Sequence, residues 1–458
     1  METLNLGIHL FRRDLRLEDN TALNLLAEQH LVIPIYILPP TTSSWTGPNR
    51  QNFLYSCLTS LDEDIQERGG KLYILKGTAT ECIKAVLNKT GAKCLSFNRD
   101  YDPHGRQTED EIKLLCANMG VSVIHSKDRV LHEADEVLTK AKKPFTVFTP
   151  YYNIWQALPK QSPKTTPVKF AGLNYTALHP IPNTPSLVSG GSNSAHKRLT
   201  LFTNNNLLQY KGCRDMLTFS SSQLSQDMRF GTISPRVVFS TIQSIGMAQP
   251  ETKENASKFI SELAWREFFM ALLWNNPKLI HEEFNERFKN IPWHNNKEAL
   301  DKWKNAETGF PIIDAAMREL QQTGLMHNRA RMITAMFLTK DLHINWREGE
   351  KWFMQNLMDG EIASNNGGWQ WSAGTGADAA PYFRIQNPWL QTKRYDRNGE
   401  YIKKWLPELR DVPAVKFWLP QSEKLAASYP KPIIIHSQEK EITLAIFKTH
   451  FQHYAKGL

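Results

Sequence analysis

Three short segments in the second half of the chain combine residue types that can do chemistry. The first is SELAWREF from Ser261, where Glu262, Trp265 and Arg266 fall at i, i+3 and i+4 and so share one helical face. Such a triplet has two readings. Trp265 can be a core residue beside a surface Glu262–Arg266 pair, or its indole can stack on a nucleobase while the charged groups hold a base edge or a phosphate. The second segment, TGLMHNRARM from Thr323, sets Asn328 and Met332 one turn apart and Arg331 one turn after His327. Polar groups and arginines at one helix start suit a phosphate or a base edge, whereas a methionine alone is ordinary core filler. The third segment reads DGEIASNNGGWQWSAGTGADAAPYFRIQNP from Asp359. Its Asn and Gly density predicts irregular backbone that approaches something closely. A buried turn would explain the glycines but not the joint presence of Asp359, Asn365, Trp369 and Trp371.

The elements that must position these groups differ between the two ends of the chain. In the first part, apolar or β-branched runs recur: LGIHLF near residue 6, LVIPIYIL from Leu31, KLYILKG from Lys71, KCLSF from Lys93 and VSVIHS from Val121. Helix-length stretches separate them, at Thr21 to Gln29, Arg50 to Arg68, Ala79 to Lys89 and Gln107 to Met119. Strands alternating with helices predict an α/β domain with a parallel, doubly wound sheet. No GxGxxG follows the first strand, so a dinucleotide fingerprint is absent. From about Ala141 to Asn206 the pattern dissolves into Pro, Ser, Thr, Asn and Gly, which predicts a long connector. Beyond it, apolar residues at helical spacing predict an all-α domain. The expected division is 1–133 for the α/β domain, 134–205 for the connector and 206–458 for the helical domain.

With 458 residues and 41% hydrophobic content, the chain can bury two cores. Arg12, Arg13, Asp14 and Arg16 interrupt the first apolar run, which argues against a signal peptide, and no uncharged stretch spans a bilayer. A cytosolic protein is expected. Five widely spaced cysteines without a Cys-x-x-Cys pair speak against a disulfide framework and a zinc site, so no metal is expected. Of the net charge of +9, residues 1–133 carry −2 (15 Lys+Arg against 17 Asp+Glu), leaving +11 for the remainder. That asymmetry suits a polyanionic partner such as nucleic acid, though charge alone also fits a merely soluble basic protein.

The three segments, with FRRDLR at Phe11 and GEYIKKWLPEL from Gly399, resemble the DNA photolyase and cryptochrome family, and within it the bacterial cyclobutane pyrimidine dimer photolyases. The likeness covers most of the chain, is strongest from Tyr210 to Leu409 and is weak across the connector. The resemblance implies a helical FAD-binding domain in which reduced FAD, excited by light, donates an electron to a pyrimidine dimer flipped out of UV-damaged DNA and recovers it after the dimer splits. Flipping a crosslinked, poorly stacked pair costs at most ~a few kcal/mol.

It also implies residue roles. Tyr210 and the run Ser221, Ser222, Gln223, Leu224 and Ser225 resemble the cofactor's phosphate-contacting stretch, with Ser221 standing where threonine is commoner. Asp359, Gly360 and Glu361 match the acidic flavin-contacting stretch, Arg331 pairs with Asp359, and Asn365 faces flavin N5. Glu262, Asn328 and Met332 contact the damaged bases, Trp265 and Trp371 flank them, and Arg214, Arg266 and Arg329 grip phosphates, Arg266 also lying among the cofactor contacts. Trp369, Trp346 and Trp293 match a relay that carries electrons to oxidised flavin. A (6-4) photolyase would carry a histidine pair where Asn328 and Met332 stand, and a cryptochrome, which signals without repair, often extends further beyond the helical domain. For a second, antenna chromophore, the loop NRDYDPHGR departs from the folate pattern at His104 and Gly105 and looks more like the deazaflavin type. A monomer that acts on damaged DNA in the bacterial cytosol, with no membrane and no obligate protein partner, is the family expectation.

Overall fold

Parallel strands need a crossover between them, and each apolar run of the first part is followed by a helix that supplies one. The computed structural model describes residues 5–41, 44–175 and 177–455. In it β1 (Asn5–Phe11), β2 (His30–Leu38), β3 (Tyr73–Lys76), β4 (Cys94–Asn98) and β5 (Ser122–Ser126) form one parallel sheet in the order β3-β2-β1-β4-β5. The crossovers are α1 (Thr21–Ala27), α2 (Pro48–Gln66), α3 (Ala79–Thr90) and α4 (Pro103–Asn118). In the register, Ile8 stands opposite Ile33 on one side and Leu95 on the other, and all three are fully buried. Near-continuous apolar strands are what a sheet covered on both faces requires.

The strand order reverses between β1 and β4, and the FRRDLR motif emerges at that point. Its arginines meet acids from neighbouring segments: Arg12 pairs with Glu109 at 2.6 Å, Arg13 with Asp102 at 2.6 Å and Arg16 with Asp128 at 2.8 Å. Burial alone would raise the Asp100 carboxyl, but Arg13, Arg129 and Arg12 around it hold it well below the usual range. The motif is therefore part of a buried ion-pair network inside the α/β unit.

After β5 every described secondary-structure element is helical. The connector is not structureless: it contains α5 (Phe148–Ala157) and α6 (Ser192–Asn205). Composition hid both. In α6 the polar sequence SNSAHKRLTLFTNN buries Ala195, Leu199 and Phe202, at i, i+4 and i+7, and tertiary packing of that stripe outweighs weak propensity. In α5 the buried Tyr151 and Trp155 do the same.

The chain groups into two compact units, residues 1–211 with 222–277, and residues 212–221 with 278–458. This grouping does not follow the expected cut at 206, since the helix Lys253–Asn275 packs with the first unit. The second unit has its own core, in which Trp303, Phe310, Ile313, Met317, Leu338 and Trp346 are buried. Among the described residues no helix is long and apolar enough to cross a membrane. Cys57, Cys82, Cys94 and Cys116 are buried free thiols and Cys213 is half-buried.

Candidate active site

The segment from Asp359 is not irregular: Ile362–Ala373, the stretch IASNNGGWQWSA, is a regular helix closed by Gly374 in the left-handed conformation at φ 84°. Its poor propensity is overcome by buried polar partners. Asn366 donates from Nδ2 to the Leu279 carbonyl at 3.0 Å and to Glu350 Oε1 at 2.8 Å, and its Oδ1 accepts from Gln370 Nε2 at 3.0 Å. Asn365, buried beside it, donates from Nδ2 to the Glu350 carbonyl at 3.0 Å. Both asparagines thus tie this helix to the helix Trp346–Asn356.

Just before the helix, Asp359 is buried, and its Oδ2 accepts from Arg331 Nη2 at 2.7 Å. Arg331 is braced in turn by Nε donating to the Met326 carbonyl at 2.9 Å. The second carboxylate oxygen, Asp359 Oδ1, is buried with no hydrogen-bond partner. A buried acceptor left without a donor costs ~1–3 kcal/mol, so it marks a place for a ligand N–H or O–H. Glu361 is also buried at the helix start, and its side chain makes no capping bond there.

Arg331 stands on the helix Asn328–Met336, whose start is capped by His327 Nδ1, which accepts from the Arg329 N–H at 3.1 Å. Burial, aided by Arg329 and Arg331, pushes His327 down to about 4, so it is neutral and able to accept. Asn328 is exposed and Met332 half-buried, with Nδ2 and Sδ 4.0 Å apart on one face. Arg329 is held by protein partners. Its Nη2 pairs with Asp215 at 2.9 Å and its guanidinium lies 4.7 Å above the Tyr395 ring, while Arg214 lies beside the same aspartate at 3.8 Å.

The two tryptophans of the helix Ile362–Ala373 point differently, as a spacing of two residues demands. Trp369 is buried, with Phe353 at 4.9 Å and Trp303 at 6.2 Å between ring centroids, and its Nε1 has no partner. Trp371 is half-buried. Trp346 is fully buried, donating to Glu283 Oε1 at 3.1 Å under the Arg347 guanidinium, and Trp293 is half-buried at the edge of the core. No ring contact joins these three among the described residues.

In the first unit, Glu262 is about one-third exposed and pairs with Lys258 at 3.0 Å, one turn earlier. Arg266 donates to the Arg129 carbonyl at 2.7 Å and the Met228 carbonyl at 3.2 Å, so the guanidinium braces backbone. Trp265 is half-buried, with Phe148 stacked on it at 3.7 Å. Tyr210 is buried edge-on to Phe202 and Phe259. Ser222 is half-buried, and Gln223 is held at φ 50°, a conformation a non-glycine residue adopts only under constraint; its carbonyl accepts from Gln226 Nε2 at 2.6 Å. Leu224 is buried and Ser225 exposed, with Oγ 3.4 Å from Gln226 Oε1; Ser221, which groups with the second unit, is half-buried. In the loop NRDYDPHGR, Asp102 caps α4 by accepting from the Gly105 N–H at 2.7 Å, and a Cβ on Gly105 would lie 2.6 Å from Asp100.

Sequence reasoning missed Glu350. It lies on the buried face Trp346, Gly349, Glu350, Phe353 and Met354, where an acid at i+4 among apolar residues was the available signal. Burial pushes its carboxyl up to about 7, against the smaller opposing pulls of the Asn366 amide and Arg347.

Residues 7–169 match the DNA photolyase family model, and residues 259–449 match the FAD binding domain of DNA photolyase. The chain belongs to the DNA photolyase family. It is 34% identical over 460 residues to a deoxyribodipyrimidine photo-lyase of Synechococcus, covering 95% of each chain. It superposes on a bacterial class III photolyase from Agrobacterium tumefaciens with a TM-score of 0.92 at 32% identity, covering 99% of both chains. An archaeal photolyase from Sulfolobus tokodaii, solved with two FAD molecules, gives a TM-score of 0.86 at 31% identity over 97% of this chain and 99% of that one.

Proposed function

We propose that this chain splits cyclobutane pyrimidine dimers in UV-damaged DNA with light, using FAD. The observation that carries the reading is the buried Asp359 carboxylate, whose Oδ2 is neutralised by Arg331 and whose Oδ1 lacks a protein donor. That arrangement fits a ligand that brings its own N–H into the helical unit. When bound in its reduced form, FAD supplies an excited-state electron to the lesion and takes it back. Asp359, Gly360 and Glu361 would hold the flavin end and Asn365, fixed through Glu350, would stand beside it. Tyr210 and the Ser221–Ser225 run are assigned to phosphate contacts, and Trp369, Trp346 and Trp293 to the electron relay.

For the lesion, Asn328 and Met332 share an accessible face of their helix and neither can donate a proton as an acid, which favours the dimer over the (6-4) product. Trp371 and Trp265 would each stack on a damaged base, a contact worth roughly 1–3 kcal/mol. Glu262 would hydrogen-bond the damaged bases and, in its protonated form, donate to a base carbonyl and steady the electron-bearing dimer. The chain is proposed to act as a monomer, and an antenna chromophore, if one is carried, to be of the deazaflavin type, which a mass spectrum of released chromophore would identify.

The test uses the FAD-loaded protein, reduced beforehand, with UV-irradiated oligothymidylate under blue light. Recovery of the thymine absorbance in the light and not in the dark is expected. No recovery with fully reduced flavin overturns the repair reading and leaves a light sensor; recovery on a (6-4) substrate alone overturns the choice of lesion.

A further inference from the structure

An indole that stacks on a base must hold one face steady and offer the other. Trp265 is held in this way by a residue of the segment that composition marks as connector. Phe148, the first residue of α5, lies face to face with Trp265 at 3.7 Å between centroids and 8° between planes. Phe268 meets the same indole edge-on at 5.7 Å and Phe269 at a tilt at 5.6 Å. One face is paved, yet Trp265 stays half-buried and so keeps surface to offer.

The paving ring is itself braced. Tyr152, one turn along α5, stacks on Phe148 at 5.6 Å and 14°, and Trp155 continues the stack at 6.1 Å and 23°. Trp155 is fully buried and donates from Nε1 to Glu267 Oε2 at 2.6 Å, two residues beyond Trp265 on the long helix. Glu267 is fixed by the Leu131 and His132 N–H groups at 2.5 and 3.2 Å, and Arg266 by the Arg129 carbonyl. The backbone beside Trp265 is therefore clamped while a four-ring column, Trp265, Phe148, Tyr152 and Trp155, fixes its plane.

We propose that Phe148 is a positioning residue for lesion recognition, holding Trp265 so that its second face meets a damaged base. This rests on the reading of Trp265 as a stacking wall. One aromatic pair is worth ~0.5–1.5 kcal/mol, about two- to twelvefold in affinity.

The experiment compares the FAD-loaded wild type with Phe148→Leu and Phe148→Tyr on a duplex carrying one thymine dimer and on the same duplex undamaged. Leucine keeps the apolar volume but not the flat face, and tyrosine keeps both. Phe148→Leu is expected to lose about two- to twelvefold in affinity for the dimer and nothing for undamaged DNA, with FAD content unchanged, and Phe148→Tyr to bind as the wild type. In a Trp265→Ala background, Phe148→Leu should cause no further loss. An unchanged dimer affinity, an equal loss on undamaged DNA, or a loss that persists without Trp265 overturns the role of Phe148 alone. If Trp265→Ala itself leaves dimer binding unchanged, the stacking reading of Trp265 fails first and this proposal with it.

Discussion

Gly349 shows how tightly single residues are specified around the proposed flavin site. A Cβ built there would lie 2.1 Å from the Trp369 ring, with two more ring carbons at 2.5 and 2.6 Å. An indole buried in a core has nowhere to swing. Gly349→Ala should therefore cost about 1–3 kcal/mol, the usual range for overpacking, and show as a lowered melting temperature with slower light-driven reduction of oxidised flavin. A melting temperature equal to wild type would mean that the two helices part at no cost. Trp293→Phe is the contrasting change: half-buried at the core edge, it should spare the melting temperature and repair by pre-reduced protein while stopping light-driven flavin reduction. Normal photoreduction in that variant would remove Trp293 from the relay.

At the scale of elements, Glu350 joins the helix Trp346–Asn356 to the helix Ile362–Ala373 through Asn365 and Asn366. Its carboxyl, raised by burial to about 7, keeps its proton in the folded chain and loses it near 4.5 when unfolded. Between those values the folded state binds more protons than the unfolded one, so this group's contribution is fully present below about pH 4.5 and is lost as pH rises to 7. The full effect is on the order of 3 kcal/mol. Glu350→Gln should flatten that part of the stability profile, read as melting temperature from pH 5 to 8; an unchanged slope would place the titration elsewhere. The same helices mark the limit of what the sequence made legible. All five strands and their helices could be read, because alternation and β-branching act locally. The Asp359–Arg331 pair was accessible only through resemblance to a family, since no spacing rule joins residues 28 apart. The helix over Ile362–Ala373 was illegible for a physical reason: Asn and Gly disfavour it locally, and only buried partners on other elements make it stable. Phe148 and α5 were missed for a different reason: Phe148, Tyr151, Tyr152 and Trp155 do fall at helical spacing in FTPYYNIWQA, but the Pro-, Ser- and Thr-rich composition around them masked that short stripe.

For the whole molecule the relevant quantity is charge and its distribution. Residues 1–133 carry a net −2 and the rest +11, so phosphate attraction should come from the later part of the chain. Counterion release makes such binding salt-dependent and blind to damage: neutralising 6–10 phosphates loses about 10³–10⁵ in affinity between 50 and 200 mM salt. Discrimination has another source, the stacking and hydrogen bonding of an extruded dimer, which releases no counterions. The two terms predict different salt responses. Affinity for undamaged duplex should fall by about 10³ or more over that range, while the ratio of dimer-bearing to undamaged affinity stays within a few-fold. Titrations of both duplexes at several salt concentrations read the two slopes directly. Parallel slopes are the expected result, whereas a ratio that collapses with salt would assign recognition to phosphate contacts around a bent lesion and take it away from the Trp265 and Trp371 walls.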